Sequence, residues 1–259
     1  MSTAPRPRIG ITYKKRHGNP VKYRLFERLR SWADVVVLDH RRRHPDLPEM
    51  ELDLYHMAGW SPAAFADFEV AREAGIPTVN SYAGAVQTED RLLAARACVD
   101  AGLPFVPFEY GRADEITLKP PVVVKPRHEL EPGGHRLDVV FSGALRFEGE
   151  RLVERYVVPA RSFKVFGVGS EIRASERHSR TDAWEEVRVP GRFVELAAEV
   201  STLFDLSVFE LDVVVHKSYY VIDVNPVVSL DGVEDAVEVY ETVLRRACED
   251  ARRRHRYGR

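Results

Sequence analysis

The residues best suited to chemistry lie in Phe209–Asn225, FELDVVVHKSYYVIDVN. Two β-branched-rich runs, Phe209–Val215 and Tyr219–Val224, flank a polar turn at His216-Lys217, which predicts a β-hairpin. Each run carries one acid in apolar surroundings, Asp212 and Asp223. A loop of two residues (His216, Lys217) or of four (Val215–Ser218) gives one register, with 212 opposite 221 and 210 opposite 223. Asp212, Asp223 and Asn225 then share a face, and Leu211, Val213, Ile222 and Val224 take the other. A three-residue loop would separate the two acids. Two carboxylates and an amide oxygen on a half-buried sheet need a cation, because like charges repel in a low dielectric. Oxygen ligands without sulfur or imidazole suit Mg²⁺ or Mn²⁺, shared with substrate phosphates.

The elements that must position this hairpin read as follows. Arg8–Tyr13 is an opening strand and Lys14–Gly18 a basic loop. Asn19-Pro20 supplies a cap and first residue for a helix whose stripe is Val21, Leu25, Leu29 and Trp32. Strands at Asp34–Leu38, Leu52–Met57 and Ile76–Asn80, with a helix from Ser61-Pro62 to Gly75, complete a small parallel α/β domain over about residues 1–80. Thr88-Glu89-Asp90 caps a helix running to Ala101-Gly102. Strands are expected at Pro121–Lys125, Arg136–Phe141 and Arg151–Val158, and a hairpin at Ser162–Val168 and Glu171–Arg177. Helices at Arg192–Leu206 and Val233–Arg252 flank the acidic hairpin.

A chain of 259 residues with 44% hydrophobic and 30% charged residues describes a soluble globular protein of one large or two modest domains. No apolar run reaches membrane-spanning length, Met1–Arg8 lacks a signal-peptide core, and Cys98 and Cys248 suggest no disulfide framework. The expected compartment is the cytoplasm, with no membrane partner. Net charge is −2, and the basic tail RRRHRYGR reads as solvated surface, since no nucleic-acid motif accompanies it. The oligomeric state is not legible.

Lys125 ends an apolar strand, where burial penalises an unpaired ammonium and a phosphate would explain it. Gly133-Gly134 could fold over the same phosphates. Lys164 and Arg177 fall on one face of their hairpin and want an anion between them, with His135 as a further donor. The bland reading of this pair is ion pairing to nearby glutamates.

In this order, PVVVK, the Gly-rich loop, VERYV, LDVVV and VIDVN resemble the ATP-grasp superfamily over roughly residues 80–235. The resemblance implies an N-terminal parallel α/β domain (1–80) and an ATP-grasp domain (81–259). The latter would have a lid at about 118–178 and a C-terminal antiparallel metal-bearing sheet. It implies ATP held at its phosphates by Arg91 and Lys125, and at its adenine by the backbone of Glu154, Tyr156 and Val157. Mg²⁺ would sit on Asp212, Asp223 and Asn225. Within the superfamily, KPRHELEPGGHRLDVVF, SFKVFGVGSEIRASER, Asp90-Arg91 and VIDVN are similar to the inositol 1,3,4-trisphosphate 5/6-kinase branch. That similarity implies phosphoryl transfer to a small polyol or anionic acceptor held by His135, Lys164 and Arg177, with Lys15 or Arg16 adding to the site. Pro226-Val227-Val228 departs from that branch's Pro-Gly. The ribosomal-protein-modifying and glutathione-type ligases, which join a carboxylate to an amine through an acyl phosphate, are the alternative.

Overall fold

The computed structural model describes residues 5–14, 19–131, 136–158 and 161–257. Its first layer is the parallel sheet expected from the alternation of strands and helices. Strands β1 (Arg8–Tyr13), β2 (Asp34–Asp39), β3 (Leu54–Met57) and β4 (Thr78–Val79) lie in the order β2-β1-β3-β4, all parallel. Helix α1 (Pro20–Leu29) begins where the Asn19 side chain accepts from the Val21 N–H, and α2 (Pro62–Glu73) where Ser61 accepts from Ala64. Both have proline in the first turn, where its missing N–H costs nothing. At Gly59, just past β3, a Cβ would be crowded: it would sit 3.2 Å from the Thr12 carbonyl oxygen and the Tyr13 Cα. Glycine there lets the carboxyl ends of β1 and β3 close together, at the edge where open α/β sheets receive ligands.

Two helices follow. The expected cap at Thr88 is corrected: Ser81 caps α3 (Tyr82–Glu89), in whose last turn Thr88 lies. Asp90 caps α4 (Arg91–Asp100), accepting from the Leu92 and Leu93 N–H groups. A four-stranded antiparallel sheet comes next, in the order β5-β8-β6-β7: β5 (Phe108–Gly111), β6 (Val122–Lys125), β7 (Asp138–Val140) and β8 (Arg151–Arg155). Its small core joins Val122, Val124 and Val153.

The third sheet is antiparallel and five-stranded, in the order β11-β10-β9-β12-β13. It comprises β9 (Arg161–Val168), β10 (Glu171–Arg177), β11 (Trp184–Val187), β12 (Val208–Val215) and β13 (Tyr219–Asn225). Helix α5 (Gly191–Phe204) packs on one face, burying Phe193, Leu196 and Val200 against Val165, Leu211, Val213 and Val221. Because strand side chains alternate, the other face of β9, β12 and β13 is left for Lys164, Glu210, Asp212 and Asp223. The final helix α6 (Ala236–Tyr257) returns to the first sheet, with Tyr240 and Leu244 in one core with Ile9, Leu25 and Phe26. Asn80 locks the first layer to the third. Its Nδ2 donates to the Val208 and Pro226 carbonyls, and its Oδ1 accepts from the Ser207 and Val208 N–H groups.

Candidate functional site

The acidic hairpin forms in a register different from the expected one. Val215 pairs with Tyr219, so the loop has three residues, His216–Ser218. Continued without interruption, that register would send the two acids to opposite faces. A bulge between Asp212 and Val213 instead leaves Ile222 as the extra residue on β13, and sets Asp212 directly opposite Asp223 and Glu210 opposite Asn225. The shared face holds, by a route that loop length alone does not show.

Four oxygen-bearing side chains thus meet on this face, and they are not equivalent. Glu210 is buried and fully engaged. It pairs with Lys164 and accepts from the backbone N–H and hydroxyl of Ser229, both at 2.7 Å. Asp212 has no such set of donors. Burial first, then the charges of Glu210 and Asp223, push its carboxyl up to about 7. Lys164, opposite Asp212 on β9, keeps its charge despite burial, because Glu210 and Asp212 hold its ammonium above the ordinary lysine value. Mutually repelling carboxylates of this kind, with the Asn225 amide beside them, are a donor set that a hard divalent cation would fit. Among the described residues, no three His, Cys, Asp or Glu side chains could hold a metal ion together, so any such site here is two acids completed by an amide.

The four-stranded sheet supplies the facing groups. Lys125 is 4% exposed; its Nζ lies 2.7 Å from Glu154 and donates to the Ile222 carbonyl at 2.7 Å. One lysine therefore ties β6 and β8 to the bulge of β13. Burial works against the Lys125 charge, but Glu154 and then Asp223 hold its ammonium above the ordinary value. Burial also pushes up the Glu154 carboxyl, with Lys125 opposing the shift. Arg91, at the start of α4, donates to the Pro126 carbonyl at 3.1 Å and to Glu129 at 2.8 Å. Burial and the nearby Asp223 push Glu129 up to about 7. In the β6–β8 and β6–β7 registers, Val123 lies opposite Glu154 and Val139. Leu137, Val139 and Phe141 therefore line the face of this sheet that carries Lys125 and Glu154, and they are exposed, with Phe141 edge-on to Tyr156.

Several expected roles are narrowed. Glu154 contributes its carboxylate to Lys125, its backbone being laddered between β5 and β6. The Tyr156 N–H is taken by the Pro121 carbonyl at 3.0 Å, so that donor is not offered to an adenine; the side chain of Val157 packs against the core that α5 shares, which leaves its expected backbone role untouched. Lys164 and Arg177 do share a face by register, but each has its own acid, which removes the reason to place an anion between them. Lys164 has Glu210, and Arg177 pairs with Asp182 at 2.6 Å. Arg177 is half-exposed and lines a separate groove with Arg161, Glu176 and His178. His135, Lys15 and Arg16 lie outside the described residues.

A cleft of about 360 Å³ runs between the carboxyl ends of β1 and β3 and the end of β13. Lys14, Lys22, Trp60, Glu129, Glu210 and Asn225 are among its walls. Sequence reasoning missed Glu129, Glu210 and Lys22 there. Glu210 was detectable two residues before Asp212 on the same strand face; Lys22 was hidden by its place on an otherwise apolar helix stripe.

No known family profile and no curated protein sequence matches this chain. Its fold is nevertheless shared with solved ATP-grasp structures. D-alanine–D-alanine ligase from Bacillus anthracis complexed with ATP is similar at a TM-score of 0.73 and 13% identity, over 96% of this chain and 98% of that one. Another structure of that ligase gives 0.68 and 12%, over 95% and 98%. An ATP-grasp RimK domain protein from Sphaerobacter thermophilus gives 0.72 and 18%, over 91% and 98%. The α/β fold, with its parallel sheet and two antiparallel sheets, is therefore the ATP-grasp fold. The structures named here include ligases and no inositol kinase, so they give the expected polyol kinase no support.

Proposed function

We propose that this chain is an ATP-dependent carboxylate–amine ligase acting through an acyl phosphate, with residues 1–80 as its α/β domain and 81–259 as its ATP-grasp domain, lid at about 118–178. One observation carries the reading. Lys125 and Glu154 of the lid sheet meet Asp212 and Asp223 of the hairpin in a fold shared with ligases over more than nine-tenths of the chain. ATP would lie between these sheets, its adenine on the exposed face of Leu137, Val139 and Phe141 and its phosphates toward Lys125 and Arg91. Mg²⁺ on Asp212, Asp223 and Asn225 would neutralise charge on the transferring phosphoryl group.

In this scheme a carboxylate oxygen attacks the γ-phosphorus, ADP leaves, and an acyl phosphate forms. The amine nitrogen then attacks the carbonyl carbon, inorganic phosphate leaves, and one proton is released. The chain's own contribution is positioning and electrostatics. Lys125 supplies fixed positive charge, and the buried Glu154 holds it in place. The cleft floored by Glu210 and Asn225 seats the acceptor. Phosphoryl transfer to a polyol draws less support, because Lys164 and Arg177 are each committed to an acid in different places. The test is incubation with ATP, Mg²⁺, hydroxylamine and a panel of carboxylates. A hydroxamate with ADP and phosphate is expected; a phosphorylated hydroxyl with no free phosphate would replace the ligase by the kinase.

A further inference from the structure

Lys22 stands apart from the other buried lysine among the described residues, Lys125, which has a carboxylate partner. It is 1% exposed, sits on α1 in the wall of the cleft, and belongs to a buried chain of hydrogen bonds whose direction can be fixed. The Val79 carbonyl lies 2.8 Å from His56 Nδ1 and can only accept, so Nδ1 carries the hydrogen. Burial, with Lys22 nearby, pushes His56 down to about 3, so its Nε2 is bare and accepts the Tyr240 hydroxyl at 2.5 Å. The Tyr240 oxygen in turn accepts from Lys22 Nζ at 3.1 Å. Among the described residues that tyrosine is the one hydrogen-bond partner of Lys22, and no carboxylate lies within ion-pair distance of it. Buried lysines are rare unless paired, and an ammonium with two unmatched N–H groups at a cleft wall calls for an anion.

We propose that Lys22 is a carboxylate-binding residue of the cleft, taking up a proton as an anionic group of the substrate settles against it. The proposal rests on the ligase reading for its ligand class. Burial pushes the free amine down to about 7, with Glu210 opposing, so a carboxylate arriving at neutral pH finds an amine poised to charge. The groups facing it are Tyr240 from α6, His56 from β3, Glu210 from β12 already held by Lys164, and Lys14 and Glu129 along the cleft. His56 is held neutral, and Glu210 has its own partners. An incoming anion is therefore the group that can complete Lys22.

The experiment follows the Lys22 side chain by NMR of lysine-labelled protein, assigned by its loss in Lys22→Met, and adds succinate, L-glutamate, inorganic phosphate or myo-inositol. A midpoint near neutrality without ligand is expected. Either carboxylate should raise it by about one unit or more while inositol leaves it unmoved, and Lys22→Met should weaken succinate at least about tenfold. A shift with phosphate alone, an ordinary lysine midpoint, or a midpoint that no carboxylate moves would overturn the proposal. The readout needs no turnover, so the absence of a hydroxamate would refute the ligase and leave the Lys22 titration to stand or fall by itself.

Discussion

Replacing Lys125 by methionine keeps the length of the side chain and removes its charge. The cost follows from what is left behind. Glu154, 2% exposed, would keep its carboxyl in the interior without its contact ion pair, and the Ile222 carbonyl at the bulge would lose its donor. Removing one partner of a buried ion pair costs about 3–5 kcal/mol. The double variant Lys125→Met/Glu154→Gln leaves no orphaned charge and should recover roughly half of that loss, about 2 kcal/mol, so the two single losses do not add. Urea unfolding at neutral pH without nucleotide measures this as a shift in midpoint at constant slope. A single variant within about 1 kcal/mol of the parent, or a double variant that merely adds the two single losses, would refute the claim that this pair fastens the lid to the hairpin. The same substitution should weaken ATP about ten- to hundredfold while adenosine changes little, since the lysine is argued to meet phosphate.

Asp223→Asn should abolish Mg²⁺-dependent turnover with the far-UV spectrum unchanged; retained turnover would remove the hairpin from the mechanism. Asn80→Ala removes the partner of four backbone groups, three of them in buried hydrogen bonds, and should cost at least about 3 kcal/mol in urea unfolding. Arg177→Ala removes an exposed pair lining another groove, so stability should change by less than about 1 kcal/mol and acceptor KM should stay put. Lys22 titrates lower folded than unfolded, so above about pH 7 the unfolded chain binds more protons. Stability should therefore rise with pH from about 7 toward the ordinary lysine value of 10.5, at up to about 1.4 kcal/mol per unit. Lys22→Met should flatten that rise and stabilise the protein at neutral pH.

The sequence announced elements whose signals are local. The first strand is found at Arg8–Tyr13 as read, and Asn19-Pro20 and Ser61-Pro62 open their helices because a cap and a pre-set φ act on adjacent residues. Strands β5 and β11, FEYG and WEEV, escaped notice because four residues with no clear alternation carry too little pattern. The shared face of Asp212 and Asp223 was legible, but its register was not, since a bulge is chosen by packing on both strands together. Lys164 and Arg177 show a deeper limit. Their spacing correctly puts them on one face, yet Glu210, which decides what Lys164 is free to do, comes from a distant strand, and Asp182, five residues past Arg177, is folded back onto it by the turn into β11. Lys22 was invisible for the same reason, its surroundings being assembled from β3, β12 and α6.

The central claim is that phosphoryl transfer here activates a carboxylate. It is tested most directly by the fate of a heavy-oxygen label placed in the carboxylate substrate. In a reaction through an acyl phosphate, that oxygen bridges carbon and phosphorus and leaves with the phosphate, so mass spectrometry should find label in the inorganic phosphate released with ADP. Label-free phosphate, or ADP formed with the phosphoryl group retained on a hydroxyl, would contradict the account.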